Sequence, residues 1–227
     1  MDNKRTLLIT RDLPSKSAYF SWAQKNRFGV IHLPFIKLNP ISNLVIPDTD
    51  WIFFSSPNGV RIYLENYSLK AKKIAALSTG TADQLDRLGI SQDFIGDNRK
   101  SPAEIGKEFL SQVEPGKTIL FPLSDISKKN VSSQFTTHKI IELVTYETIL
   151  DKKKIEVPLD IILFTSPSNV CGFLAKNQIA GSTKIIAIGK TTEKELNNFG
   201  FKEVHLPKST NEKDIIILLD ELSLKLV

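Results

Sequence analysis

The chain has one cysteine and one methionine in 227 residues. With Cys171 alone no internal disulfide forms, and such usage fits a reducing compartment; the residue reads as a small core side chain rather than a nucleophile. Neither GxGxxG nor GxxxxGK[ST] occurs, which argues against a dinucleotide fingerprint or a P-loop. His32, His138 and His205 lie far apart without paired ligand spacing, so no metal is expected. Long apolar runs are missing too. The opening MDNKRTLLITRD is too short in apolar residues for a signal peptide, and IIILL at 215–219 is far below spanning length. A soluble, cytoplasmic protein is expected. The 30 Lys+Arg exceed the 25 Asp+Glu by only five, giving a pI near 9.1. That favours an acidic partner or substrate, although a solvated surface explains so small and scattered an excess more simply. No basic stripe interleaved with aromatics marks a nucleic-acid surface.

What is present is a sentence written twice. Residues 50–64, DWIFFSSPNGVRIYL, align with 160–174, DIILFTSPSNVCGFL, with seven identities. KIAALSTGTADQLDRLGI at 73–90 then matches KIIAIGKTTEKELNNFGF at 184–201 in nearly the same register, and TLLITRD from Thr6 echoes TILFPLS from Thr118. Two copies of one unit of about 110 residues account for all three. The 41% of hydrophobic residues suffice for two modest cores.

Each copy reads as strands alternating with helices. Short apolar runs at 7–10, 51–54, 73–77, 118–121, 161–164 and 184–188 look like strands buried on both faces. Between them lie helical patterns such as NGVRIYLENY and TADQLDRLG, the second closed by Gly89. Alternating βα units imply doubly wound parallel sheets.

Two connections break the pattern. NPISNLVIPDTD before Trp51 and DKKKIEVPLD before Ile161 leave no room for a helix, whereas a parallel crossover usually needs one. The expected solution is a two-lobed α/β protein with flavodoxin-like sheets: 1–36 plus 148–227 as a discontinuous lobe, 37–147 as an inserted one, joined by a two-stranded linker. The cleft between lobes is the expected ligand site.

The strand ends carry small polar residues that lead into helices: Thr10 and Arg11, Ser55 and Ser56, Ser78 to Thr81, Thr165 and Ser166, Gly189 to Thr192. Ligands of open parallel sheets bind beyond these carboxyl ends, and helix starts present amides suited to carboxylate or phosphate. Taken singly, each hydroxyl also reads as an N-cap.

Together TR after the first strand, IFFSSPNGV, STGTADQL, VTYET, LFTSPSNV and IAIGKTTEKELNNFG resemble the uroporphyrinogen-III synthase family over essentially the whole chain. The resemblance implies a cofactor-free, cytoplasmic lyase of tetrapyrrole biosynthesis. It would cyclise hydroxymethylbilane with loss of water and invert the last ring through a spiro-pyrrolenine. It implies Tyr146 as the group donating to the departing hydroxyl. Thr81 and Thr192 match family threonines, and with the strand-end reading the residues expected to hold substrate are Thr10, Arg11, Ser166, Ser168, Thr191 and Thr192 in the discontinuous lobe, with Ser55, Ser56, Asn58, Thr81 and Lys128 in the inserted one. FPLSDISKKN departs from the family by lacking an Arg-Gly and a further Arg after the strand, so Lys128 or Lys129 would supply any cation there. The thin hinge suggests a monomer with no nucleic-acid or membrane partner. Two rivals stand beside this reading: a flavin-binding flavodoxin-like protein, from STGTAD as a phosphate loop, and a two-lobed binder that captures an acidic small molecule without turnover.

Overall fold

Leu7 and Ile9 of β1 (Arg5–Ile9) enter one buried cluster and Leu8 another, because successive strand side chains leave opposite faces. In β9 (Ile161–Phe164), Ile161 and Leu163 join the first cluster while Ile162 and Phe164 join the second. Both faces are therefore covered, as the continuous apolar runs require. The computed structural model describes residues 4–127, 129, 131–135 and 138–226.

The chain divides into two compact units, residues up to 37 with those from 149 onward, and residues 38–148. In the first, β2 (Phe28–His32), β10 (Lys184–Ala187) and β11 (Val204–His205) complete a five-stranded parallel sheet of order β11-β10-β9-β1-β2. The α1 (Ala18–Asn26) and α7 (Glu212–Ser223) helices cover one face through Trp22, Ile215 and Leu219. The opposite face is covered by α5 (Pro167–Leu174) and α6 (Lys190–Asn198) through Val170, Phe173 and Leu196. The IIILL run thus belongs to an amphipathic helix.

The second unit holds β3 (Ile36–Pro40), β4 (Thr49–Phe54), β5 (Ala71–Ala76), β6 (Phe94–Ile95), β7 (Thr118–Ser124) and β8 (Lys139–Leu150), in the order β3-β8-β7-β4-β5-β6. On one face lie α2 (Pro57–Asn66) and α3 (Thr79–Asp86), packed through Val60, Tyr63 and Leu85; α4 (Pro102–Leu110) packs Ile105 and Phe109 on the other. Behind α3, Gly89 takes φ 73 and Ile90 N–H turns back to Leu85 O at 3.1 Å, a left-handed stop that suits glycine.

The repeat is visible in the ladders. Reading β6-β5-β4-β7-β8 beside β11-β10-β9-β1-β2 superposes the two orders, with β7-β8 last in the chain of one unit and β1-β2 first in the other. Matching acids staple the central pair in each. The Asp50 carboxylate accepts from Thr118 N–H at 3.1 Å, and that of Asp160 from Thr6 N–H at 2.7 Å. The run GVIHLPFIKL is broken at Leu33–Phe35, and its second half, β3, joins the edge of the inserted unit's sheet as a sixth strand. Asp151 N–H bonds Phe35 O and Ile41 N–H bonds Thr145 O, so β3 and β8 run antiparallel.

Candidate functional site

At the carboxyl end of β1, Thr10 is fully buried and spent on the fold. Its Oγ1 donates to Leu163 O at 3.3 Å and accepts from Thr165 N–H at 2.9 Å, while Thr165 Oγ1 returns a bond to Thr10 O at 2.9 Å. The two threonines form a reciprocal staple between β1 and β9. Arg11 is over a third exposed and sits 3.6 Å from the Glu212 carboxylate at the start of α7. Glu212 also receives Ser17 Oγ and Ala18 N–H, each at 3.1 Å, so Arg11 faces an acid that is already well supplied with donors. Beside them, burial pushes the Tyr19 phenol up to about 12 against the opposing pull of the Arg11 charge.

The paired serines behave alike. Ser56 caps α2 by accepting from Gly59 N–H at 3.0 Å, and Ser166 caps α5 by accepting from Asn169 N–H at 3.2 Å. Each stands in extended backbone immediately before a proline, the best residue for a first helical position. Ser166 accepts a second bond, from Asn169 Nδ2 at 2.9 Å, and the Asn169 Oδ1 accepts from Phe35 N–H at 2.8 Å. Both hydroxyls remain half-buried, with a donor proton to offer. Ser55 and Ser168 are half-buried and Asn58 is exposed, and their side chains make no hydrogen bond among the described residues.

The two β–α turns that follow differ. Ser78 caps α3, accepting from Thr81 N–H at 3.3 Å, and the buried Thr81 Oγ1 lies 3.0 Å from Ser78 Oγ. Gly189 stands in place of Ser78 before α6, and no side chain caps that helix. Thr192 N–H and Glu193 N–H turn back to Gly189 O, each at 3.0 Å, so the amides of Lys190 and exposed Thr191 are the ones open to an outside acceptor, beside the buried Thr192. STGTAD follows β5 and forms the cap and first turns of α3 rather than following a first strand.

Tyr146 lies on β8, 7% exposed, and its hydroxyl bonds to nothing among the described residues. Lys128 lies outside the described residues. Lys129 takes a left-handed φ of 53 and pairs with Glu142, which holds that carboxyl below its usual range. Sequence reasoning missed Asn169 and Tyr67, because nothing in their local pattern signals a long-range bond. Two open pockets of ≈ 700 and ≈ 740 Å³ lie at amino-terminal strand ends, lined by residues such as Leu159, Asn177 and Thr183, and Arg5, Arg27 and Phe28. Neither contains a candidate residue. Among the described residues no group of three or more His, Cys, Asp or Glu could hold a metal, and no helix is long and apolar enough to cross a membrane.

The strand ends of both units thus present hydroxyls and helix starts, with one bare phenol on β8. The family model of uroporphyrinogen-III synthase HemD matches residues 21–217. The chain belongs to the uroporphyrinogen-III synthase family. It is 24% identical to the uroporphyrinogen-III synthase of Chlorobaculum parvum, over 90% of this chain and 93% of that one. A putative uroporphyrinogen-III synthase of Methanocaldococcus jannaschii is 26% identical, over 89% and 92%. Among solved structures, uroporphyrinogen-III synthetase from Helicobacter pylori aligns with a TM-score of 0.70 at 19% identity, covering 96% of this chain and 99% of that one. A mutant of the Thermus thermophilus enzyme aligns at 0.56 and 15% identity, covering 97% and 99%. Uroporphyrinogen-III synthases are cyclising lyases of tetrapyrrole biosynthesis that act on hydroxymethylbilane.

Proposed function

We propose that this chain converts hydroxymethylbilane to uroporphyrinogen III, with Tyr146 donating to the departing hydroxyl and small polar strand-end groups holding the substrate. The family match over residues 21–217 carries this reading. The bare phenol of Tyr146 supports its role, since a donor engaged by the protein could not serve the substrate.

The chemistry sets modest demands on the acid. The pyrrole nitrogen lone pair expels the hydroxyl of the hydroxymethyl group, a proton from Tyr146 makes it leave as water, and an azafulvene cation remains. Its exocyclic carbon bonds to the substituted α-carbon of the last ring, giving a spiro-pyrrolenine. That intermediate breaks its older bond and recloses with the ring inverted. One proton is lost as the last pyrrole regains aromaticity, balancing the one donated. Unguided closure uses the free α-carbon and gives the type I isomer, so the protein's main contribution is to hold the chain ends in the less direct geometry.

The substrate carries eight carboxylates, and the structure offers many small donors for them. The uncapped start of α6, with the Lys190 and Thr191 amides and the Thr191 and Thr192 hydroxyls, is the best placed for a carboxylate in its unit. Ser166 and Ser168 add hydroxyls in that unit, and Ser55, Ser56 and Asn58 do so in the other. Arg11 supplies a cation, moderated by Glu212. Thr10 and Thr81, buried in protein hydrogen bonds, act by shaping these turns rather than by touching substrate. We take the working form to be a cytoplasmic monomer that needs no metal or organic cofactor and no nucleic-acid or membrane partner.

The test is turnover of freshly made hydroxymethylbilane by metal-free protein, with isomer analysis after oxidation of the product. Predominantly type III product is expected. The type I mixture of the uncatalysed reaction would refute the assignment, and would leave the non-catalytic binder as the better reading if the substrate still bound.

A further inference from the structure

The twelve-residue strand β8 loses its alternation at one point. Thr145 and Tyr146 are its two buried residues, at 0% and 7% exposure. The ladder with β7 explains this. Leu123 stands opposite Val144, but Ser124 stands opposite Tyr146, so Thr145 is an extra residue on β8. Bulges in parallel pairs are uncommon, and their usual effect is to re-aim a neighbouring side chain.

The extra residue is secured from three directions. Thr145 Oγ1 donates to Leu123 O at 3.3 Å. Its carbonyl accepts from Ile41 N–H at 3.0 Å and from the Tyr67 hydroxyl at 2.7 Å. The same hydroxyl stands 2.6 Å from Ile41 O, so one phenolic proton is shared by carbonyls at neighbouring positions of two antiparallel segments. Tyr67 is itself anchored. Its N–H closes the last turn of α2 on Tyr63 O at 2.8 Å, and its ring lies 5.4 Å from that of Tyr63. Beyond the bulge, Tyr146 O accepts from Asp125 N–H at 3.1 Å, and Asp125 Oδ1 accepts from Thr148 N–H at 2.9 Å. The main chain on both sides of Tyr146 is therefore fixed while its hydroxyl stays unengaged.

We propose that Tyr67 is a positioning residue for the cyclisation: its hydroxyl holds the Thr145 bulge, and the bulge aims the Tyr146 phenol. This rests on the role proposed above for Tyr146. Without the Tyr67 hydroxyl, the Thr145 carbonyl keeps the Ile41 N–H bond, but it and the Ile41 carbonyl lose their shared donor, and β8 is free to relax toward the regular register. That relaxation would turn Tyr146 by one residue of strand alternation, which places its phenol on the wrong face.

The experiment is a cycle of wild type, Tyr67→Phe, Tyr146→Phe and the double variant, with kcat, KM and thermal midpoint measured for each. Tyr146→Phe is expected to lower kcat by about 10²-fold, the low end of general-acid effects. For Tyr67→Phe a kcat loss of about 10-fold is expected, with KM within about twofold, since small misplacements of a reacting group are costly. The double variant should match Tyr146→Phe within about twofold, because a residue that acts only through the phenol has nothing left to position. Multiplicative losses in the double variant would overturn the proposal, as would wild-type kcat in Tyr67→Phe. Wild-type kcat in Tyr146→Phe would overturn both the proposal and the role it rests on, whereas the first two results leave that role standing. If Tyr67→Phe does not fold, Thr145→Val takes its place, with Thr145→Ser as the variant that keeps the hydroxyl and should retain wild-type kcat.

Discussion

Asn169→Ala tests how firmly the start of α5 is tied to the segment that leads out of the first unit. Asn169 is 4% exposed and serves two partners, accepting from Phe35 N–H and donating to Ser166 Oγ. Truncation leaves the Phe35 amide without an acceptor in a place that water does not reach, because Phe35 is fully buried. An orphaned buried donor costs about 1–3 kcal/mol, and the lost bond to Ser166 adds roughly 1 kcal/mol. A larger side chain at a neighbouring position could not fill the gap, since α5 packs closely here: a Cβ on Gly172 would lie 2.0 Å from Phe35 O. The expected loss is therefore about 2–4 kcal/mol, read from urea unfolding at constant m-value. Asn169→Asp should recover only part of it, because a carboxylate accepts from Phe35 but cannot donate to Ser166, and it buries a charge. A loss below about 0.5 kcal/mol for Asn169→Ala would show that the Phe35 amide finds another partner and that the tie is incidental.

Other outcomes follow from the same contacts. Ser56→Ala and Ser166→Ala each remove an N-cap and should cost about 1 kcal/mol in urea unfolding, with any larger change in KM reporting substrate contact. Thr10→Val removes the acceptor of the Thr165 amide, on a half-buried residue, and should cost about 1 kcal/mol while leaving surface charge unchanged. Asp50 is held down to about 2 by the Thr118 amide and then by Lys72, below its ordinary 3.8, so its contribution is complete above about pH 4 and disappears as pH falls through 2. Asp50→Asn should flatten the decline of stability across that window in acid titrations followed by circular dichroism.

The apolar runs gave away the sheets because both faces of each are covered: Leu7 to Ile9, Ile52 to Phe54 and Ile161 to Phe164 need partners on two sides, and the helices between them supply it. Pro40, Pro47 and Pro158 mark connections too stiff and too short for a crossover helix, and the units part at 37/38 and 148/149, before each of these prolines. The roles of single polar residues were harder to read. Thr10 and Ser166 look equivalent in sequence, yet one hydroxyl is consumed by a cross-strand staple and the other keeps a proton free. That difference depends on Thr165 and Asn169, which reach them across the sheet and along the helix. The bulge at Thr145 has no local signature, since VTYET is a good regular strand by composition; Tyr67, far away in the chain, selects the irregular one.

The permuted strand order dictates a sequence of events at the ribosome. Residues 38–148 form a contiguous unit whose sheet takes no strand from later in the chain than β8, so it is complete once β8 has emerged. The first unit cannot follow that schedule. Its interior strand β1 is made first but needs β9 beside it, and the two are separated by the entire insert. Until then Leu7, Leu8 and Ile9 lack one neighbour on the ladder and much of their cover, a surface that invites chaperones or self-association. Prior folding of the insert eases the wait, because it brings the two exits to hydrogen-bonding distance at Phe35 and Asp151 and so shortens the effective loop that must close. Slow or destabilised folding of residues 38–148 would therefore also hold back closure of the other unit.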